Sequence, residues 1–197
     1  QEARRQRQMC IRDSIYVDYD IQKTINMCGR FVLASKEKIK RKYNFEIVPS
    51  YNIAPGSNVL IFDNNFILKK IKWGFSPEWS KNFNIINARI ETLEKKSVYK
   101  NSLRCVFLAD GYYEWKKEND FKQPYYHYLS NKRLLCFAGI FNYSSGACII
   151  TMQSQKNISH IHNRQPLILK EEYIKEWLKN KYDKNFKNVN NIKYHNC

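Results

Sequence analysis

Four short segments of this chain carry side chains whose types and spacing suit chemistry better than packing. Met27-Cys28-Gly29-Arg30-Phe31 sets a cysteine directly after a potential initiator methionine. Asn87-Ala88-Arg89-Ile90-Glu91-Thr92 ends an apolar stretch with an amide, a guanidinium and a carboxylate. Gly111-Tyr112-Tyr113-Glu114-Trp115 places a carboxylate among aromatic rings, where loss of solvent raises its pKa. His162-Asn163-Arg164-Gln165-Pro166 offers an imidazole and a guanidinium just before the apolar run 167–169. Each has an ordinary explanation on its own. A lone Cys is more often packing than nucleophile, Glu114 can alternate outward on a strand, His162 can be a loop residue, and Arg89 or Arg164 can pair with Glu91. Together, a thiol, an imidazole, a carboxylate, an amide and guanidinium groups beside turns make a constellation of the kind found at reaction sites.

The elements that must position these groups read mostly as strands. Ser35 caps a short helix through Tyr43. Residues 50–57 form a turn-rich loop around Pro55-Gly56, and 59–62 and 66–73 alternate as a hairpin about Asp63-Asn64-Asn65. A helix is expected over 92–103. Strands over 104–108 and 112–116 flank Ala109-Asp110-Gly111 as a tight turn, and further strands cover 124–129, 134–141 and 147–152. A second helix over 170–180 turns Tyr173, Ile174, Trp177 and Leu178 to one face. This order predicts an α+β fold: one compact domain with a curved, mainly antiparallel sheet or barrel-like core and a few peripheral helices. Residues 1–26 read as a leader outside the fold, 27–179 as the catalytic domain, and 180–197 as a disordered Asn/Lys-rich tail.

Composition narrows the class. The chain has 197 residues, 43% of them hydrophobic, which excludes fibrous and wholly disordered classes. No apolar run approaches the ~18 residues of a membrane span. Lys and Arg number 34 against 18 acids, a formal charge of +16, and 14 Tyr, 11 Phe and 4 Trp accompany them. Basic residues interleaved with aromatic faces suit unpaired bases, which stack at roughly 1–3 kcal/mol each. The six cysteines form no C-x-x-C pair, and Cys105, Cys136 and Cys148 fall in apolar runs as small buried hydrophobes. A reducing intracellular compartment fits this usage: cytoplasm or nucleoid in a bacterium, nucleus in a eukaryote.

The ordered motifs MCGRF, YNIAPG, WGFSPEW, NARIET, ADGYYEW and HNRQP resemble the SRAP family (SOS-response-associated peptidase), whose members are also described as abasic-site DNA–protein crosslink enzymes. Gln165 stands where that family has Met. The resemblance implies a basic cleft for single-stranded DNA and covalent capture of abasic sites. Removal of Met27 gives Cys28 a free α-amine, titrating at about 8, beside its thiol. The amine forms a Schiff base with the ring-opened deoxyribose aldehyde, and the thiol closes a thiazolidine, a ring only a 1,2-aminothiol can make. By the same resemblance, Glu114 would shuttle protons, His162 would be general acid/base on the opened sugar, and Asn87 would orient the substrate or the amine. It further implies that Arg89 would hold a phosphate, that Arg30 and Arg164 would add phosphate contacts, and that Trp73 and Trp79 would stack or wedge bases. AP-lyase scission and self-processing peptidase activity belong to the same implication.

The expected partner is single-stranded DNA carrying abasic sites, met by a monomer with no membrane, no obligate protein partner and no cofactor. His160-x-His162 is a weak metal pattern without a third ligand, so no metal is expected. Two other readings stay open: a noncovalent single-stranded nucleic-acid-binding module, and a thiol peptidase built on Cys28 and His162.

Overall fold

The computed structural model describes residues 28–77, 84–119, 121–181, 189 and 191–197. The expected leader, Met27, Trp79 and residues 182–188 of the expected tail lie outside them. In chain order the elements are β1 (Arg30–Leu33), α1 (Lys36–Tyr43), β2 (Ser50–Ile53), β3 (Asn58–Phe62), β4 (Leu68–Lys72) and β5 (Asn87–Arg89). Two 3-10 turns, Ile90–Lys95 and Ser97–Tyr99, precede β6 (Leu103–Ala109), β7 (Gly111–Glu118), β8 (Phe121–Leu129), β9 (Leu135–Asn142) and β10 (Gly146–Gln153). The chain continues through β11 (Arg164–Pro166), a 3-10 turn at Glu171–Tyr173, α2 (Ile174–Leu178) and β12 (Ile192–Asn196). One sheet has the order β12-β8-β7-β1-β2; the other runs β11-β10-β9-β6-β3-β4, with β5 added to β10. Pairing is antiparallel except for β5 on β10, and the sheets do not close into a barrel.

The middle strands of the larger sheet are apolar on both faces because both faces are covered. Successive side chains point to opposite faces, so Cys105, Phe107 and Ala109 join Phe137, Phe141 and Ile149 in one core, which also takes in Phe31 and Tyr112 from the other sheet. The intervening Val106, Ala138, Ile140, Cys148 and Ile150 enter a second core with Trp177 and Leu178 of α2. The Trp177 indole NH donates to the Cys105 carbonyl at 2.8 Å, which locks α2 to β6.

The segment Ala109-Asp110-Gly111 is a corner between sheets rather than a hairpin turn. β6 pairs with β9 and β3, while β7 pairs with β1 and β8. Asp110 fixes this corner: Oδ2 accepts the Ala34 and Ser35 amides at 2.7 and 2.9 Å, and Oδ1 accepts the Ser35 hydroxyl at 2.6 Å. Ser35 therefore stands at the head of α1 but makes no side-chain cap of its own. Gly111 is required by proximity, since a Cβ there would lie 2.4 Å from the Tyr126 ring and 2.5 Å from the His127 carbonyl.

Other expectations change in detail. The hairpin at Asp63 forms, its Oδ1 accepting the Asn65 and Ile67 amides, both at 2.9 Å. Residues 50–53 of the expected loop form β2 on β1. The helix over 92–103 is replaced by the two 3-10 turns, broken where Lys96 is extended. The helix over 170–180 contracts to a 3-10 turn and the five residues of α2. Residues 192–196, expected in a disordered tail, form β12 on β8, because Ile192 has an apolar seat beside Leu129 that outweighs the polar composition around it. Among the described residues no helix is long and apolar enough to cross a membrane.

Candidate active site

The chemistry-bearing residues converge where the two sheets meet. Strand β7 carries Tyr112 and Glu114 toward the same face, two residues apart. Its pairing with β1 sets Arg30 opposite Tyr113 and Phe31 opposite Tyr112, which brings Cys28 to the Glu114 end of β7. Asn87 comes from the other sheet, where β5 lies parallel to β10 with Asn87 beside Ile149. Its Nδ2 donates to the Cys28 carbonyl at 3.3 Å and ties the start of β1 across the sheet junction. The loop between β10 and β11 brings in His162, whose Nδ1 lies 3.2 Å from Glu114 Oε1.

Electrostatics follow from burial. Cys28 is 1% exposed, and desolvation, aided by the Glu114 charge, pushes its thiol well above the ordinary range. Glu114 is 4% exposed, and desolvation likewise pushes its carboxyl well up; among the described residues Oε2 has no hydrogen-bond partner. Both groups are thus held in their protonated forms. The His162 Nδ1 environment serves two proton positions: the Arg164 amide lies 3.1 Å away as a donor and the Arg164 carbonyl 3.1 Å away as an acceptor. With Nδ1 bare, it accepts from the Arg164 amide and from a protonated Glu114. With Nδ1 protonated, it donates to the Arg164 carbonyl or an ionised Glu114. The 3.2 Å separation puts Glu114 and His162 within reach for proton exchange, and Nδ1 keeps one Arg164 backbone partner in either state.

The guanidinium groups divide. Arg164 makes a bidentate pair with Glu91, at 2.6 and 2.9 Å, and its Nη2 also donates to the Thr151 carbonyl at 2.8 Å. Both terminal nitrogens are committed inside the chain, so it braces the His162 turn. Glu91, its carboxyl drawn below the usual range chiefly by the Arg164 hydrogen bonds, links β5 to β11. Arg30 Nη1 donates to Asn52 Oδ1 at 2.8 Å. Arg89 is exposed on the same edge as Asn87.

Trp73 is corrected outright. It is wholly buried, 5.1 Å from the Phe31 ring, with its indole NH on the Ile86 carbonyl at 3.0 Å. An enclosed ring cannot stack on a nucleobase, so Trp73 is core. His160 is exposed and faces Tyr194, leaving His162 as the imidazole at Glu114. Sequence reasoning missed Thr151, Asn52 and Asp110. Thr151 had a signal, being the polar residue within the apolar run 147–152; the other two depend on long-range register. The geometry also weighs against a Cys–His thiolate pair, which needs a depressed thiol. Here the thiol is raised, and the imidazole Nδ1 is held by the Arg164 backbone beside Glu114.

Comparison with known proteins shows the family. The family model described as SOS response associated peptidase (SRAP) matches residues 27–195. The Abasic site processing protein YoqW of Bacillus subtilis is 37% identical over 179 residues, covering 77% of this chain and 80% of that protein. Escherichia coli YedK, of the same description, is 33% identical over 177 residues, 78% of this chain and 80% of that one. HMCES of Xenopus tropicalis, also an abasic site processing protein, is 34% identical over 181 residues, which is 66% of this chain and 53% of its own length. Among solved structures, a phage-related protein of Bordetella bronchiseptica superposes with a TM-score of 0.69 at 26% identity, over 86% of this chain and 94% of that one.

Proposed function

Because the chain belongs to the SOS response associated peptidase family, we propose that it captures abasic sites in single-stranded DNA by a covalent bond to Cys28, shielding the lesion. The observation that carries this reading is the convergence of Cys28, Asn87, Glu114 and His162 from four separate segments, with Glu114 and His162 3.2 Å apart. Relatives named abasic site processing proteins supply the substrate class.

The reaction begins once residues before Cys28 are removed, by self-cleavage or by an aminopeptidase acting on Met27. The freed α-amine adds to the sugar aldehyde, giving a carbinolamine. Protonated Glu114 gives its proton to the carbinolamine hydroxyl, which leaves as water, and the C–N pair becomes an iminium. The Cys28 sulfur then bonds to that carbon while the C=N electrons return to nitrogen. The thiol proton passes to Glu114, which ends as it began. The sum is loss of one water. Raised thiol and carboxyl pKa values suit this cycle, because each proton is held until the step that needs it. His162 Nε2 serves the opened sugar while Nδ1 exchanges its proton with Glu114. Arg89 takes an adjacent phosphate, and Arg30 is a further phosphate contact. Loss of a C2′ proton from the same iminium expels the 3′ phosphate, the route to AP-lyase scission.

Selective acetylation of the Cys28 amine tests the reading. Capture of an abasic oligonucleotide should stop while noncovalent binding to intact single strands continues. Capture by the acetylated protein, or turnover of peptides in trans by it, would assign the chemistry to the thiol alone.

A further inference from the structure

The loop of residues 154–163, which delivers His162 to Glu114, is fastened at three points, two on the C-terminal strand and one at Val189 ahead of it. Gln155 Nε2 donates to the Val189 carbonyl at 3.0 Å, and Asn157 Nδ2 to the Ile192 carbonyl at 3.3 Å. The Tyr194 hydroxyl and His160 Nε2 lie 3.2 Å apart. Beneath these contacts Ile158 shares the main core with Ile192, and Val189 packs against it. Strand β12 is in turn keyed to the strand that carries Glu114. Phe31, Tyr112, His127 and Tyr194 occupy directly opposed positions on β1, β7, β8 and β12, one row across the sheet. Tyr112 stacks on His127 with centroids 4.6 Å apart and planes 14° from parallel, and Tyr194 sits 5.8 Å from His127 on the other side. The position of Glu114 is therefore transmitted through β8 and β12 to the loop that bears its proton partner.

We propose that β12 is the positioning element of the His162 loop, with Tyr194, Ile192 and Val189 holding it through His160, Asn157 and Gln155 so that His162 meets Glu114. The functional part of this inference rests on the proposed role of His162; the mechanical part does not. Tyr194 and Asn157 are positioning residues, acting through His162 rather than on the substrate. His160 belongs to the fastening.

Two readouts on the full chain, processed to begin at Cys28, test it. Tyr194→Phe keeps the ring and removes the hydroxyl; Asn157→Ala removes the second fastening. Each should speed amide hydrogen exchange over 154–163 by roughly two- to tenfold, the range a single net hydrogen bond supports, while β6 and β9 exchange as before. At saturating abasic oligonucleotide, the single-turnover capture rate should fall by a similar factor with DNA affinity unchanged. In a His162→Ala background neither change should slow capture further, because the pathway through His162 is already gone. Unchanged loop exchange overturns the proposal, as does slowing that persists undiminished without His162. Faster loop exchange, with capture indifferent to His162→Ala, upholds the positioning role of β12 and removes instead the role assigned to His162.

Discussion

Acidification should weaken this protein through His127, and the size of the effect follows from where that imidazole sits. His127 is 1% exposed, stacked on Tyr112 and flanked by Tyr194, and its Nδ1 has no hydrogen-bond partner. Desolvation lowers its pKa from 6.5 to about 4, against backbone hydrogen bonds at Tyr125 and Tyr112 that favour the charged ring, with His160 and His195 close enough to add repulsion once they are charged. In the unfolded chain the imidazole takes a proton as pH falls through 6.5; in the native protein it resists until about 4. Between those values the unfolded state holds the extra proton, so stability declines as pH falls and levels off below the native value. At about 1.4 kcal/mol per pKa unit, the full decline is about 3 kcal/mol. His127→Phe retains a ring for the stack and has nothing to titrate. Urea midpoints for both proteins at intervals from pH 7.5 to 4 should diverge by about that amount in favour of the variant. Curves that run parallel would show that the ring is solvated or its second nitrogen paired, and the reasoning from its burial would fail.

Other outcomes follow from the site. Glu114→Gln should stop capture and raise the melting temperature at neutral pH. The native fold favours the protonated carboxyl, so the parent loses stability as pH rises above the ordinary carboxylate range, and the variant's advantage should disappear near pH 4. Trp73→Ala should cost about 3–5 kcal/mol in urea unfolding, as a buried ring does; a loss of DNA affinity without loss of stability would return Trp73 to the DNA surface. Arg89→Ala should leave stability unchanged and lower the salt slope of DNA binding by about one, measured by titration at several salt concentrations. Cys28→Ser keeps the amine and loses the ring-closing sulfur. Its adduct should be trapped only by borohydride, and an adduct that survives denaturation untrapped would contradict thiazolidine closure.

Much of this site was legible because its residues travel in short motifs. Cys28, Glu114 and His162 each sit beside a turn or an apolar run that makes their polarity conspicuous. The role of Trp73 was not legible, since an aromatic next to Gly74 reads alike as a wedge or as core; only contact with Phe31 and the Ile86 carbonyl decides it. Arg164 was equally ambiguous until its partner Glu91, 73 residues away, came within reach. The seven strands β3, β4 and β6 to β10 were readable from alternation, whereas β1, β2, β5, β11 and β12 were not. Sheet membership was not: Asp110 looks like a hairpin turn locally, and it becomes a corner because Ala34 and Ser35 supply the amides it accepts. The same holds for β12, whose polar composition masks a register set by Ile192 and Tyr194 against β8.

The most direct test of the central claim is an intact-mass measurement after denaturation. Protein beginning at Cys28 and the full 197-residue chain are each incubated with a single-stranded oligonucleotide bearing one abasic site. Capture through the aminothiol predicts one species from the Cys28-terminal protein, with the mass of protein plus oligonucleotide less one water, and none from the unprocessed chain. No adduct from folded Cys28-terminal protein, or an equal adduct from the unprocessed chain, would contradict it.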